Sequence, residues 1–281
     1  MQRVVDPAEV TAIADGWRRV GLRVGLVPTM GFLHVGHSSL MERLRSQCDR
    51  LIVSIFVNPL QFGPTEDLAR YPRDLEGDER RCREAGVDLV FCPTTLYPPG
   101  FSTEVKVSGL TETLCGAARP THFAGVTTVV ARLFGLTRCD VACFGEKDWQ
   151  QLVVIRRMVE DLALPVRLVP GPLIRDDDGL ALSSRNTYLS ADERRRALSL
   201  SRALRGIQAA AAAGERDVAA LLAGGRAALD VDRLDYLEIV DAASLAPLGS
   251  VEGSARALVA GYVGRTRLID NVALGTELTW D

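Results

Sequence analysis

No apolar run in this sequence is long enough to span a bilayer, and its opening stretch, MQRVVDPAEVTAIADGWRRV, lacks an apolar signal-peptide core. Neither a membrane protein nor an exported one is expected, and the expected location is cytoplasmic. The six cysteines (Cys48, Cys82, Cys92, Cys115, Cys139 and Cys143) are scattered without a CxxC pair. They read as buried thiols of a reducing compartment, not as a disulfide framework. A strong charge of either sign is missing too. The formal net charge of -3 offers no electrostatic case for nucleic acid or an acidic membrane surface, so neither is an expected partner. There is no tandem repeat, and the run Ala209 to Ala213 is only helix-forming composition. The GxSxG serine elbow, the GxxxxGK(S/T) phosphate loop and the HExxH zinc motif are all absent. Chemistry here is expected to rest on positioning and charge neutralisation, without a covalent enzyme intermediate.

Histidine is scarce as well: the chain has three, and two of them, His34 and His37, flank Gly36 in LVPTMGFLHVGHSSLMERLRSQCD. That stretch begins apolar, breaks at Pro28, and becomes helical after His37, where Leu40, Met41 and Leu44 recur at helical spacing. His34, Gly36 and His37 therefore belong to a strand-to-helix junction. Free backbone N–H groups and the helix dipole favour an anion there, and two imidazoles add donors.

The rest of the first two thirds alternates strand and helix. RLIVSIFV, VDLVFCP, CDVACFG and VRLVPGPLI read as strands; EGDERRCREAG, THFAGVTTVVARLFGLT and WQQLVVIRRMVEDLAL read as helices. That rhythm predicts an α/β fold with a Rossmann-like, doubly wound parallel sheet. The tail changes character, with helices around SADERRRALSLSRALRGIQAAAAAGE and DVAALLAGGRAALD, then two strand-like segments, LDYLEIVD and RALVAGYVG. A smaller α+β C-terminal domain is expected over 174–281, after a nucleotide-binding domain over 1–173.

Ligands of open α/β sheets bind beyond the carboxyl ends of the strands. The segments that follow the strands are PTMGFLHVGH, NPLQFG, GEKDWQQ and RDDDGLALSSRN. They would bring His34, His37, Asn58, Gln61, Lys147, Asp148, Gln151, Ser183, Ser184 and Arg185 to one rim. Imidazoles, cations and helix N-termini suit a polyphosphate; the neutral amides suit a small substrate with hydroxyl or carboxylate groups.

HxGH after the first strand resembles the signature of the nucleotidylyltransferases that share a fold core with class I aminoacyl-tRNA synthetases. Taken with SIFVNPLQFG, YPRD, RPTHFAGV, FGEKDWQQL, DGLALSSRN and RLIDN, in order and with compatible spacing, the chain resembles the pantoate–β-alanine ligase family. The resemblance implies that pantoate and ATP form pantoyl adenylate and pyrophosphate, that the β-alanine amine then gives pantothenate and AMP, and that Mg²⁺ is required. It implies an ATP site along Met30, Gly31, Phe32, Leu33, His34, Val35, Gly36 and His37, with both histidines on the phosphates and His37 as proton donor to the leaving group. Gly145, Glu146, Lys147 and Asp148 would also bind ATP, Lys147 neutralising phosphate charge. Ile174 would meet adenine through its backbone, and Leu182, Ser183, Ser184 and Arg185 would form a second phosphate loop, the counterpart of KMSKS. Gln61 and Gln151 would hold pantoate, with Asn58 nearby; Arg119 and His122 would shape the edge of the site. Asp78 is implied near Mg²⁺, and a homodimer is implied for the assembly. His37 and Lys147 are expected on a solvent-facing rim, and Asp176 to Gly179 are expected to form a flexible approach to a mobile phosphate loop.

The chain departs from the family pattern at Val35, Leu60, Leu182 and Trp149, all apolar or aromatic exchanges that leave the polar groups in place. A nucleotidylyltransferase with a phosphorylated acceptor would need further basic residues where this sequence has Gln61 and Gln151. A non-catalytic nucleotide-binding module would be expected to lack His37, Lys147 or Arg185.

Overall fold

The computed structural model describes residues 1–276 and 278. Six parallel strands form the main sheet: β1 (Gln2–Val4), β2 (Val24–Thr29), β3 (Arg50–Ile55), β4 (Leu89–Phe91), β5 (Val141–Gly145) and β6 (Arg167–Gly171), in the order β1-β4-β3-β2-β5-β6. Leu26, Val27, Leu51, Ile52, Val53, Leu89 and Val90 are fully buried. This is the composition expected of strands covered on both faces. One cover is α2 (Val35–Arg45) with α3 (Leu75–Glu84), through Leu40, Met41, Leu44 and Cys82. The other is α1 (Pro7–Arg19), α5 (His122–Thr137) and α6 (Trp149–Asp161), through Val10, Phe123, Val130 and Leu152. A short α4 (Leu114–Ala118) leads into α5.

After β2 the chain builds β3 and β4 to one side, then returns to lay β5 and β6 on the other. The order therefore reverses at β2, and the crevice between the ends of β2 and β5 is the switch point where such sheets bind ligands.

The tail folds as α7 (Ala191–Ala212), α8 (Val218–Ala227) and an antiparallel sheet, β7 (Arg233–Asp241), β8 (Ser254–Val263) and β9 (Thr266–Gly275). Leu237, Ile239, Ala257 and Val259 pack with α7 and α8, while the alternate residues Val240 and Leu258 join the core of the main sheet. The small sheet is thus buried on both faces and shares a core with the first unit across the expected boundary at residue 173. Three features differ from the sequence reading. The tail has a third strand, β9; β1 and α1 precede the first strand read, with Asp6 capping α1 ahead of Pro7; and α2 begins at Val35, so Gly36 and His37 lie inside its first turn.

Candidate active site

The loop from β2 to α2 is held from below. Thr29 Oγ1 donates to Ser54 O (2.7 Å) and accepts from Gly31 N (3.2 Å). The Asp78 carboxylate on α3 then accepts the backbone N–H groups of Phe32 (2.9 Å) and Leu33 (2.6 Å). Gly31 has φ +83°, and a Cβ there would lie 2.9 Å from Ile55 and 3.0 Å from Asp78. Only glycine permits that approach. The turn delivers His34 to the N-cap position of α2 and His37 to its first turn, with ring centroids 4.1 Å apart. A Cβ on Gly36 would stand 3.0 Å from the His34 imidazole, so this glycine makes room for the ring.

Burial, followed by the nearby charge of Lys147, lowers the His34 pKa to about 4. Burial, followed by His34 and Lys147, lowers that of His37 to about 3. His37 is thus neutral at pH 7 where it lines the cleft. Its Nδ1 accepts from the His34 backbone N–H (3.2 Å), so the ring proton sits on Nε2. His122 takes the opposite tautomer, because its Nδ1 faces the Gln61 backbone carbonyl oxygen at 2.9 Å and must donate. Burial, then Arg119, lowers its pKa to about 3.

All three folded values lie below the ordinary histidine value, so the unfolded chain binds more protons in the interval between them. Their contribution to stability is complete above about pH 6.5 and is lost as pH falls towards 3. Urea unfolding between pH 7 and 4 should therefore show a shallower loss for His122→Gln than for wild type. A difference that stays constant across that window would contradict a neutral His122.

Lys147 stands in the turn after β5. Asn271 on β9 braces this turn by donating from Nδ2 to the carbonyls of Glu146 (3.0 Å) and Lys147 (2.9 Å). Arg256 on β8 reaches the Glu146 carboxylate (2.9 Å) and the Asn271 side-chain oxygen (2.7 Å), and stacks over Trp149 at 3.6 Å. The small sheet therefore positions a residue of the large one.

Ser183 Oγ accepts from Arg185 N, and Ser184 Oγ donates to Phe32 O (3.3 Å), which sets the 183–185 segment against the histidine loop. Leu182 N donates to Ile174 O (3.0 Å), joining the expected adenine and phosphate segments. Arg185 is gripped by Asp67 through Nε (2.9 Å) and Nη2 (2.8 Å). The neighbouring Glu66 takes Arg119 in the same two-pronged way, at 2.8 and 2.5 Å.

Gln61 and Gln151 line the same cleft, with His122 and the apolar residues Val126, Val129 and Val130. The cleft has a volume of about 240 Å³. Past Lys147, Gln151 and Arg185 it adjoins a cavity of about 720 Å³ that reaches β9 of the small sheet.

Comparison with known proteins gives the same reading as this geometry. The family model described as Pantoate-beta-alanine ligase matches residues 2–273. The chain belongs to the pantoate–β-alanine ligase family. Among relatives, a pantothenate synthetase of Anaeromyxobacter dehalogenans is 54% identical over 279 residues, covering 95% of this chain and 96% of that one. The crystal structure of the pantothenate synthetase from Thermus thermophilus superposes with a TM-score of 0.92 at 49% identity, over 98% of this chain and 100% of that one. A pantoate-beta-alanine ligase from Francisella tularensis, complexed with beta-gamma ATP and beta-alanine, gives 0.80 at 30% identity, over 97% of each chain.

In this pantoate–β-alanine ligase, Met30, His34, Gly36, His37, Gly145, Lys147, Asp148, Ile174, Leu182, Ser183, Ser184 and Arg185 all line the cleft, as do Asn58, Gln61, Arg119 and Gln151. Other residues named from the sequence do not. Gly31, Phe32 and Leu33 turn down onto Asp78 and support the histidines from behind. Val35 is 58% exposed, pointing into solvent, and Glu146 is turned onto Arg256. Asp78 is only 2% exposed, with its two carboxylate oxygens on two backbone N–H groups. It anchors the loop and is not among the residues that line the cleft. Asp78→Asn would set an amide N–H against a backbone N–H, and should destabilise the fold by about 1–3 kcal/mol in denaturant titrations. The Mg²⁺ concentration for half-maximal activity should not move; a tenfold rise would return Asp78 to the metal.

Asp176 and Asp178, expected as a flexible approach, both have a cationic partner. The segment is a tight turn in which both carboxylates bind Arg194, at 2.6 and 2.8 Å, while Arg175 pairs with Asp270. Glu66, Asp67, Arg256 and Asn271 carried no role in the sequence reading. Two adjacent carboxylates following NPLQFG, and the asparagine of RLIDN, were the signals available.

Proposed function

We propose that this cleft condenses pantoate with β-alanine in two half-reactions on ATP. In the first, a pantoate carboxylate oxygen attacks the α-phosphorus and pyrophosphate leaves. In the second, the β-alanine amine attacks the acyl carbonyl of pantoyl adenylate, AMP leaves, and the amine loses a proton. One observation carries the reading: imidazoles (His34, His37), cations (Lys147, Arg185) and neutral amides (Gln61, Gln151) all line a single cleft.

His34, Lys147, Ser183, Ser184 and Arg185 hold the triphosphate. His37 offers its Nε2–H as a neutral donor to the departing oxygen; phosphate charge beside it raises the tendency of the ring to take a proton. Gln61 and Gln151 hold pantoate. Asn58 has each of its amide groups committed inside the protein, so it acts behind Gln61 and not on substrate. Arg185 reaches the γ-end by exchanging Asp67 for phosphate oxygens.

Among the described residues no cluster of three or more His, Cys, Asp or Glu could cage a cation. That suits Mg²⁺ carried on phosphate oxygens and water, with Asp148 as the carboxylate lining the cleft. Bound there, the ion would neutralise the leaving pyrophosphate. The expected homodimer is checked by sedimentation equilibrium.

Pantoate-dependent exchange of pyrophosphate into ATP without β-alanine, followed by AMP release on adding it, tests the sequence of steps. Exchange that requires β-alanine would remove the adenylate. Gln61→Ala and Gln151→Ala should raise the KM for pantoate far more than that for ATP, since sites built on hydrogen bonds discriminate strongly when a partner is lost. An equal rise in both would point to a folding defect.

A further inference from the structure

Gln61 is 9% exposed, yet among the described residues its side-chain amino group meets only the Met30 thioether sulfur, at 3.1 Å. Sulfur is a weak acceptor, so a nearly buried N–H donor stays unspent and faces the cleft. Its orientation is not free. The Gln61 carbonyl oxygen accepts from Asn58 Nδ2 (3.1 Å), and the same Nδ2 donates to the Gly125 carbonyl (3.0 Å). Asn58 Oδ1 accepts from the Leu60 backbone N–H (3.2 Å) and the Tyr97 hydroxyl (2.7 Å). A backbone carbonyl can only accept and a backbone N–H can only donate, so these contacts select one orientation of Asn58, and the shorter bond from the Tyr97 hydroxyl to the same Oδ1 holds it there. A fixed Asn58 in turn fixes the Gln61 amide. Tyr97 completes the set from the loop after β4, outside the cleft lining. Its ring is packed 4.9 Å from Phe101 and 6.1 Å from Phe56, centroid to centroid.

We propose that Tyr97 is a positioning residue that acts through Asn58 to lock the Gln61 amide with its amino group towards the substrate. The lock rests on the reading of the cleft as a pantoate site and adds why that site selects an acid. A fixed N–H donor meets a carboxylate oxygen favourably, whereas the reversed amide would set a carbonyl oxygen against it. Burial pushes the Tyr97 phenol up to about 12, which keeps it a donor across the working range of pH.

The test is a double-mutant cycle on Tyr97→Phe, which removes the hydroxyl and keeps the ring. Tyr97→Phe should raise the KM for pantoate about five- to tenfold, the scale of one hydrogen bond, and leave the KM for ATP unchanged. Combined with Gln61→Ala it should add nothing further, while combined with Gln151→Ala the two effects should multiply. Full multiplication with Gln61→Ala, or an equal rise in the KM for ATP, overturns the proposal. A readout without substrate separates this from a failure of the pantoate reading. In the wild type, the Gln61 side-chain amide protons should show a nuclear Overhauser effect to the Met30 methyl group, weakened in Tyr97→Phe. Its absence from the wild type overturns the lock whatever the enzyme consumes.

Discussion

His37→Ala and Lys147→Ala are each expected to slow pantoyl adenylate formation by about two to three orders of magnitude, the scale for removing one preorganised donor from a developing charge. Both groups line the cleft: the His37 ring is held by the His34 backbone N–H, and the Lys147 main chain by the Asn271 side-chain amide beneath its carbonyl. Neither contact depends on substrate. The two variants should differ in stability. Lys147→Ala removes a side chain whose ion-pair partner, Asp148, is 3.9 Å away and half exposed, so stability should be unchanged within error. His37→Ala leaves the His34 N–H without its acceptor and should cost about 1 kcal/mol. Single-turnover measurement of pyrophosphate release, with urea unfolding beside it, separates chemistry from folding. Near wild-type adenylate formation by either variant would remove that residue from the mechanism.

Arg185→Ala should lower kcat/KM for ATP by about 10- to 150-fold, the range for losing a charge-assisted hydrogen bond of about 1.5–3 kcal/mol. Arg185→Lys should recover little of it. The guanidinium is now held at Nε and Nη2 by the two oxygens of Asp67, and a lysine cannot copy that two-pronged fit. ATP with pantoate should slow amide exchange over residues 174–188 as Arg185 moves from carboxylate to phosphate, and Arg185→Ala should abolish most of that protection. The 176–179 turn is already tied by Arg194, so the gain should concentrate on residues 182–188. Uniform, ligand-independent exchange across the segment would show that no such closure takes place.

The alternation of apolar strands with amphipathic helices determined the parallel sheet, because strands covered on both faces must be apolar throughout while surface helices need only one apolar stripe. The order of the polar loops determined which residues gather at the switch point: His34, His37, Gln61, Lys147, Gln151 and Arg185 all reach one cleft. These properties are local, written in spacing and loop position. The third strand of the small sheet was harder to read. Thr266–Gly275 follows β8 after a two-residue turn and carries Arg267, Asp270 and Asn271, so its pattern is less apolar than that of a typical buried strand. Asp270 and Asn271 are buried and Arg267 is half-buried, meeting Arg175, the Lys147 turn and Asp235, partners that lie at least 32 positions away in the chain.

Tertiary structure alone decided which partners each polar residue has. The hydrogen bonds of Asp78 and of Asn58, which lines the cleft, are taken up by backbone groups and neighbouring side chains. The protonation of the histidines was equally out of reach. An imidazole keeps its ordinary pKa until burial and neighbouring cations act on it, and both arise only when α2, the Lys147 turn and the 182–185 segment close around His34 and His37. Sequence spacing brings groups to a rim, but their charge state and the direction of each donor depend on distances between segments far apart in the chain.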